Sequence, residues 1–302
     1  MRQIDELKKF SESINGKIIF DYDLKKTNWL NIGGVAKGFF KPENLKEIVE
    51  FLKRFGEKEK IFILGAGSNI LVNDNFFDGI VIKLGKNFSN ISLLTNDTLI
   101  AGSATSDKKL AEFAAKNNIG GLEFLSCIPG TIGGGIRMNS GCFKKEFKDI
   151  VLSVQAVDKI GQVLTIPSSK IKFNYRKTNL DKSLIFLSAT LKGKMSENQK
   201  ITNYMEDLIN EKKKTQPTKI KTGGSTFKNP IDQTEEKVWQ LIKKSVPLDT
   251  KFGDAEISKK HCNFFINKNN ASFEDMSKLI EFVKKKVKIK TGIDLETEIE
   301  II

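Results

Sequence analysis

The segment Gly121–Gly141, "GLEFLSCIPGTIGGGIRMNSG", decides how the fold is interpreted. It is apolar enough to be buried, yet it sets several glycines between its apolar residues, namely Gly130, Gly133, Gly134, Gly135 and Gly141. A buried chain with so few side chains leaves backbone N–H groups that need partners. A large flat ligand with phosphates and carbonyls would supply them, whereas a glycine-lined contact between a sheet and a loop is the simpler alternative.

A second glycine segment, "ILGAGSNIL", follows a run of β-forming residues. It fails the dinucleotide fingerprint, because Ile70 stands where a third Gly or Ala belongs after Gly65 and Gly67. Its small residues, followed by Ser68 and Asn69, still form a tight turn whose N–H groups and side-chain donors suit a pyrophosphate. The alternative is a plain connection between a strand and a turn.

The overall composition is that of a globular protein with a basic surface. The chain has 302 residues, 39% hydrophobic and 29% charged, which is enough for two domains. The formal net charge of +13 raises the alternative of a nucleic-acid-binding protein. Only four of the 50 basic residues are arginine, the usual reader of bases, so we expect no nucleic-acid partner. The same charge would attract a phosphorylated substrate.

Three cysteines without a C-x-x-C pair and a single histidine argue against a metal site, and we expect none. No signal-peptide pattern follows Met1, and the uncharged run Phe124–Ile136 is far shorter than the ~20 residues of a membrane span. We therefore expect a cytoplasmic protein with no membrane partner. A monomer is expected as well.

Hydrophobic periodicity indicates a mixed α+β chain. Helices are predicted from Ile4 to Ile14, from Leu45 to Phe55 and near Lys109–Lys116, among strands such as "KIFILGAG", "GIVIKLG", "DTLIAGSA", "IVLSVQAVD", "QVLTI" and "SLIFLSATLKG". From about Ser196 the sequence becomes a lysine-rich helix, then a loop, a helix capped by Asp232, and a helix starting near Ser272. The final "IDLETEIEII" alternates like a strand, with Glu296, Glu298 and Glu300 on one face.

A series of motifs runs through nearly the whole chain from Thr27 onward: "TNWLNIGGVA", "LGAGSN", "GLEFLSCIPGTIGGGIRMNSG", "YRKT", "GGSTFKNP", "KKHCNFFIN" and "LETEIEII". Their order and spacing resemble those of the UDP-N-acetylenolpyruvoylglucosamine reductases, also called UDP-N-acetylmuramate dehydrogenases. "IPGTIGG" together with "GSTFKNP" is highly specific. With no obvious insertion in the second domain, the chain resembles the shorter form of these enzymes, without an extra substrate-covering loop.

The resemblance implies an α+β FAD-binding domain of the vanillyl-alcohol-oxidase (PCMH) kind with two subdomains over residues 27–195. A smaller α+β substrate-binding domain over residues 196–302 would follow it. The implied reaction transfers hydride from NADPH to FAD, and then to C3 of the enolpyruvyl ether of UDP-N-acetylglucosamine, giving UDP-N-acetylmuramate for peptidoglycan synthesis. The residues implied to hold FAD are Gly65, Ala66, Gly67, Ser68, Asn69, Pro129, Gly130, Thr131, Gly133, Gly134, Asn139, Ser140 and Gly141.

Three residues match the catalytic positions of the family. Arg176 suits the substrate carboxylate because its guanidinium is a planar fork of donors. Ser225 is expected to be a general acid, since no triad can be built around His261, for which a structural role is predicted. Alternation alone leaves Glu296, Glu298 and Glu300 open, and the motif spacing selects Glu298. The implied substrate contacts are Tyr175, Asn229 and Lys214.

Two other functions compete with this interpretation. One is another FAD oxidoreductase of the same fold with a different small substrate. The other, from a different class, is a basic nucleic-acid or surface-binding protein. Bound flavin, visible as colour, separates the enzymes from the binding protein.

Overall fold

The structure, a computed structural model, describes residues 2–218 and 220–302. Unit 1 of the fold comprises Met1–Tyr22, Ala36–Ala66 and Asp78–Asn210, and unit 2 comprises Asp23–Val35, Gly67–Phe77 and Glu211–Ile302. Each unit combines helices with mainly antiparallel strands, which confirms the predicted α+β class. Among the described residues no helix is both long enough and apolar enough to span a bilayer.

The described helices are α1 (Arg2–Glu12), α2 (Leu45–Phe55), α3 (Asp107–Lys116), α4 (Ile132–Arg137), α5 (Asn198–Thr215), α6 (Val238–Ser245) and α7 (Phe273–Thr291). The predictions for α1, α2, α3 and α7 are confirmed. Side-chain oxygens of Asn44, Ser106 and Ser272 accept N–H bonds at the starts of α2, α3 and α7, which stabilises each first turn.

The predicted helix cap at Asp232 is wrong. Pro230 starts a turn instead, because its carbonyl accepts the N–H groups of Gln233 and Thr234. α6 begins only at Val238, whose N–H is bonded at 3.0 Å by the side-chain oxygen of Asn229. A local S/T/D/N-x-x-E pattern could not reveal that a residue from further back in the chain supplies the cap.

Two main sheets build unit 1. The first is ordered β1 (Lys17–Asp23), β2 (Val35–Lys41), β5 (Phe77–Ile82), β3 (Ile61–Ile63). The second is ordered β12 (Val163–Pro167), β11 (Val151–Val157), β15 (Ile185–Lys192), β7 (Thr98–Gly102), β6 (Ile91–Leu93). Three short pairs complete the unit: β8 (Ile119–Gly120) with β16 (Lys194–Met195), β9 (Gly141–Cys142) with β10 (Lys145–Glu146), and β13 (Phe173–Asn174) with β14 (Lys177–Thr178).

Each main sheet of unit 1 has its own core. Against the first sheet, Phe10 of α1 packs on Phe51 and Phe55 of α2, with ring centroids 5.9 and 5.7 Å apart. Against the second sheet, α3 and α4 bury Leu110 and Ile136 completely. The predicted apolar faces of α1 and α2 are thereby confirmed, and the second core places the glycine segment 130–135 against a rigid sheet.

Unit 2 is built on an antiparallel sheet ordered β17 (Thr222–Ser225), β20 (Phe264–Asn267), β19 (Ala255–Ile257), β18 (Lys251–Phe252). Helices α6 and α7 cover it, with Leu241, Ile280 and Phe265 buried in one core. A short parallel pair joins β21 (Glu300–Ile301) to β4 (Ile70–Leu71). The predicted C-terminal strand is therefore shorter than expected, although Leu295 and Ile299 are buried and Glu296 is exposed, as its alternation required.

The compact units divide inside α5, after Asn210, whereas the sequence placed a domain boundary before residue 196. Ile201 and Met205 on the first turns of α5 belong to the core beneath the second sheet, so this half of the helix packs with unit 1. Unit 2 also takes in Asp23–Val35 and Gly67–Phe77, segments far from it in sequence. Composition cannot show such discontinuity, because the contacts are long-range.

Candidate active site

The predicted site residues lie in two groups, one in each unit. Unit 1 contains Gly65, Ala66, Pro129, Gly130, Thr131, Gly133, Gly134, Asn139, Ser140, Gly141, Tyr175 and Arg176. Unit 2 contains Gly67, Ser68, Asn69, Lys214, Ser225, Asn229 and Glu298.

In unit 1, the glycine segment is held by backbone hydrogen bonds to residues 103–107. Asp107 N donates to Gly130 O at 3.2 Å, Ile132 N to Thr105 O at 2.9 Å, and Gly133 N to Ser103 O at 2.9 Å. The segment then enters α4, with Thr131 as its N-cap. Its course is thus fixed by protein contacts on one side.

The three consecutive glycines of this segment have different surroundings. A Cβ on Gly135 would lie 2.2 Å from the ring of Phe147, and one on Gly133 would lie 3.0 Å from Cβ of Ser103, so both are tightly packed. A Cβ on Gly134 would meet only Thr131 Oγ1, at an ordinary 3.5 Å. Packing within the protein therefore requires glycine at position 135 but not at 134.

Gly65, just after β3, lies close to Thr131 and Gly134. A Cβ built on it would be 3.0 Å from Thr131 Oγ1 and 3.9 Å from the Cα of Gly134. The missing side chains of Gly65 and Gly134 thus leave a gap beside Thr131 Oγ1, at the N-terminus of α4. Bare backbone and a threonine hydroxyl at such a gap leave room for a ligand group that side chains would exclude.

The segment Asn139–Gly141 contributes backbone atoms. The Asn139 side chain is fully buried and its amide nitrogen donates to Glu146 Oε2 at 3.1 Å and Asn174 O at 3.0 Å, while its oxygen accepts from Lys148 N. Ser140 N donates to Gly135 O, which ties this segment to α4. Asn139 therefore supports this segment from within, and the half-buried Ser140 and Gly141 are its accessible residues.

Arg176 and Tyr175 form the two-residue turn between β13 and β14. Arg176 has a left-handed backbone with φ of 55°, a conformation that costs a non-glycine residue ~1–2 kcal/mol. Its guanidinium donates to Gly141 O at 2.9 Å, lies 3.5 Å from Glu146 Oε1, and stacks over the Tyr175 ring with its central carbon 4.9 Å from the centroid. The strained turn holds this cation against the Asn139–Gly141 segment.

In unit 2, the turn at Gly67 requires glycine for two reasons. Its φ is 70°, and a Cβ would lie 2.1 Å from Thr27 O. Asn69 follows it and binds the end of the chain, since its side-chain nitrogen donates to Glu298 O at 3.1 Å and its carbonyl accepts from Glu300 N at 2.9 Å. Asn69 therefore positions the segment that carries Glu298.

Ser225 lies at a bulge in β17. Thr222 pairs with Ile266 but Ser225 pairs with Phe264, so one extra residue is accommodated between them, and Gly224 has φ of 81°. Bulges of this kind redirect the following side chain. The Ser225 side chain is half-buried, and within residues 2–218 and 220–302 its hydroxyl has no hydrogen-bond partner. The glycines of "GGSTF" thus serve to aim a free hydroxyl.

The residue after this hydroxyl is held by Asn263. Thr226 N donates to Asn263 O at 2.7 Å, and the Asn263 side chain bonds both the N–H and the carbonyl of Phe227. His261 Nδ1 accepts from Asn263 N at 3.3 Å, and burial lowers the pKa of His261, which favours neutral imidazole. These contacts give His261 the structural role predicted for it.

Glu298 is the C-terminal acid next to Ser225 in the backbone network. Its N–H donates to Thr226 O at 2.8 Å, and its own carbonyl accepts from Asn69. Glu296 instead forms an exposed ion pair with Lys228, and Glu300 begins β21. Among the three acids that alternation left open, Glu298 is the one whose N–H bonds to Thr226, the residue directly after Ser225.

The predicted substrate residues of unit 2 are less distinctive. The Asn229 side-chain oxygen caps α6, so it already has a structural function. Lys214 is exposed in the last turn of α5.

Sequence reasoning missed Glu146, which joins Arg176 to Asn139, and Asp107, which lies buried beside Gly130. In the described part of the chain no cluster of three or more His, Cys, Asp or Glu residues could bind a metal ion.

Comparison with known proteins gives close relatives. A UDP-N-acetylenolpyruvoylglucosamine reductase of Pelagibacter ubique (strain HTCC1062) is 66% identical over 299 residues, which cover 99% of each chain. One from Rickettsia massiliae (strain Mtu5) is 43% identical over 287 residues, covering 95% of this chain and 96% of the other. The crystal structure of UDP-N-acetylenolpyruvylglucosamine reductase (MurB) from Thermus caldophilus is 28% identical, with a TM-score of 0.81, covering 95% and 99% of the two chains.

Residues 36–167 match the family described as "FAD binding domain", so the class of protein is an FAD-binding oxidoreductase. Residues 216–302 match "UDP-N-acetylenolpyruvoylglucosamine reductase, C-terminal domain". The chain belongs to the UDP-N-acetylenolpyruvoylglucosamine reductase family, which confirms the resemblance of its motifs.

Proposed function

We propose that this chain, as a UDP-N-acetylenolpyruvoylglucosamine reductase, carries out its reaction with Arg176, Ser225 and Glu298. The enzyme uses NADPH to reduce the enolpyruvyl ether of UDP-N-acetylglucosamine to UDP-N-acetylmuramate, a peptidoglycan precursor. FAD, when bound, supplies the hydride that is added to C3. A proton must then be added at C2, so the double bond becomes a single bond.

The gap between Gly65 and Gly134 is the observation that supports the FAD site most directly. The Thr131 hydroxyl would donate to the diphosphate there, and the bare backbone of Gly130 and Gly134, together with Pro129, would lie against it. Ala66, Gly67, Ser68 and Asn69 continue the first segment, and Gly133 and Asn139–Gly141 continue the second. Arg176, bonded to Gly141 O, would hold this second segment in place for the flavin.

Arg176 and Glu298 are proposed to act on the substrate carboxylate. Addition of hydride at C3 leaves negative charge at C2 that spreads into this carboxylate, so a cation and a hydrogen-bond donor close to it stabilise the transition state. Arg176 supplies the cation. A glutamic acid close to another carboxylate tends to hold its proton, so Glu298 would donate a hydrogen bond. Ser225 would donate the proton to C2.

The function itself is tested by following NADPH oxidation by the flavin-loaded protein with and without UDP-N-acetylenolpyruvoylglucosamine. Turnover that requires this substrate supports the proposal. If the protein binds FAD and oxidises NADPH equally fast with and without this substrate, it is an oxidoreductase with a different small substrate. Protein that takes up no FAD would contradict both enzymes.

Gly134→Ala is expected to lower the affinity for FAD at least about tenfold, which is ~1.4 kcal/mol. The new methyl group fits the protein, since it meets only Thr131 Oγ1 at 3.5 Å, but it enters the space beside this hydroxyl where the diphosphate is proposed to lie. Thermal stability without FAD should not fall, because alanine is the better residue within a helix. Flavin fluorescence titration and thermal melts measure the two effects. Gly85→Ala, where a Cβ meets nothing within 4 Å, is the control. Unchanged FAD affinity in Gly134→Ala would place the cofactor elsewhere.

Glu298→Gln and Glu300→Gln are expected to differ although the residues alternate along the same segment. Glu298→Gln should reduce turnover by about tenfold or more, because a positioned acid is lost, while Glu300→Gln should stay close to the parent. Steady-state kcat with saturating substrate is the measurement. If only Glu300→Gln is impaired, the acid has been assigned to the wrong residue.

Further features of the enzyme remain part of the proposal. Connections in residues 211–302 are short, the longest described one between regular elements being 226–237, which supports the short form without an added substrate-covering loop. Tyr175, Asn229 and Lys214 would contact the substrate, Lys214 through its diphosphate. The chain would work as a cytoplasmic monomer, which sedimentation of the purified protein would test.

A further inference from the structure

Asp107, the first residue of α3, has an unusual environment for a carboxyl group. It is 0% exposed, and within residues 2–218 and 220–302 neither side-chain oxygen has a hydrogen-bond partner. The hydroxyl of Thr105, also 0% exposed, is unpartnered as well. Buried polar side chains nearly always have partners, because an unmade hydrogen bond destabilises the fold. These two residues therefore need an explanation other than packing.

Both residues lie under the glycine segment. A Cβ on Gly130 would be 2.6 Å from Asp107 Oδ2, so the carboxyl group lies directly against the bare backbone of Gly130. The Asp107 N–H donates to the carbonyl of Gly130, and the Thr105 carbonyl accepts from the N–H of Ile132. The unpartnered side chains thus belong to the residues that hold the Pro129–Gly134 segment in place.

No charged group compensates a negative charge at this position. On α3, Lys108 and Lys109 are exposed, and on the 3₁₀ turn that packs against α3 the ionisable residues are Glu123 and Cys127. Both Glu123 oxygens accept from Gly121 N, and residues 128–134 contain no ionisable side chain. Burial alone raises the pKa of Asp107 well above its usual value. Burial therefore favours the neutral acid at this position.

We infer that Asp107 is a positioning residue for FAD, because its carboxyl group, buried against the backbone of Gly130, fixes the course of the Pro129–Gly134 segment on which the anionic cofactor would lie. A carboxylate in this poorly screened place would repel the diphosphate of FAD. It would also draw water into the contact that fixes the course of Gly130. The inference rests on the proposed placement of FAD on this segment.

The test is the affinity of the flavin-free protein for FAD, by fluorescence titration, at pH values that rise from near neutrality. The affinity of wild type for FAD should fall about tenfold or more as Asp107 ionises. The cause is the repulsion between the new negative charge and the diphosphate, at an effective dielectric constant near 20. Asp107→Asn, which has the same shape without the proton, should bind FAD as tightly as protonated wild type and lose this pH dependence. Glu112→Gln, an exposed acid on the same helix, should keep the wild-type profile.

Stability gives a second measurement. The stabilising proton is fully bound in the folded state below the ordinary carboxyl pKa of 3.8 and is lost as pH rises through the higher folded pKa. The melting temperature of Asp107→Asn relative to wild type should therefore increase with pH. Infrared difference spectra of wild type should show a protonated carboxylic acid that disappears over the same pH range as FAD affinity, a result that does not depend on how well the variant folds.

Parallel loss of FAD affinity with pH in wild type and Asp107→Asn would overturn the inference, as would a flat wild-type profile while the infrared band titrates. Gly134→Ala separates this failure from that of the proposed function. If Gly134→Ala loses FAD and the Asp107 profiles do not differ, the cofactor site stands and Asp107 has no part in it. If Gly134→Ala binds FAD normally, the placement itself is wrong.

Discussion

Ser225→Ala is expected to bind FAD and to accept hydride from NADPH at the wild-type rate, but to pass it to the enolpyruvyl substrate roughly 10²–10⁴-fold more slowly. The first two steps do not use the hydroxyl. The last step ends with protonation at C2, and a carbanion is basic enough to take a proton from an alcohol that is held in place. The bulge at Gly223–Gly224 and the bonds from Asn263 to the following residues provide that rigid placement.

Stopped-flow measurement of the flavin absorbance separates the two half-reactions of Ser225→Ala. Ser225→Cys should recover part of the second rate, since a thiol has a similar shape and is the stronger acid. An unchanged rate of flavin reoxidation in Ser225→Ala would rule out the proposed proton donor. A substrate adduct trapped on Ser225 would show a nucleophile instead, which the surroundings of His261 do not favour because its Nδ1 already accepts from Asn263 N.

Much of the fold could be predicted from the sequence because periodic patterns report local structure. The apolar spacing in residues 4–14 and 45–55 predicted α1 and α2, and the predicted start near Ser272 is the N-cap of α7. The Asp232 cap failed for the opposite reason. Pro230 and Asn229 decide where α6 begins, and their effect depends on a turn that brings Asn229 to Val238.

The candidate site was predictable in outline but not in its energetics. The sequence showed a run of glycines, yet Gly135 is fixed by Phe147 and Gly133 by Ser103, while Gly134 is free of protein contacts that forbid a side chain. Only the folded chain distinguishes these reasons. Asp107 was overlooked since an acid in the first turn of a helix usually stabilises the helix from the surface. Its burial depends on Gly130, which is distant in sequence.

Arg176→Lys is expected to lower kcat with saturating substrate about a hundredfold, from ~3 kcal/mol of lost transition-state stabilisation, although the positive charge remains. An ammonium group cannot bind Gly141 O, stay beside Glu146 and still present paired donors to a carboxylate, as a guanidinium fork can. Lys177→Ala, which removes the exposed neighbouring cation, should have no effect.

FAD affinity must be measured alongside turnover, because Arg176 also holds the Asn139–Gly141 segment. If saturating FAD restores the activity of Arg176→Lys, the arginine positions the cofactor segment and does not act on the substrate; full activity at all FAD concentrations would show that it does neither.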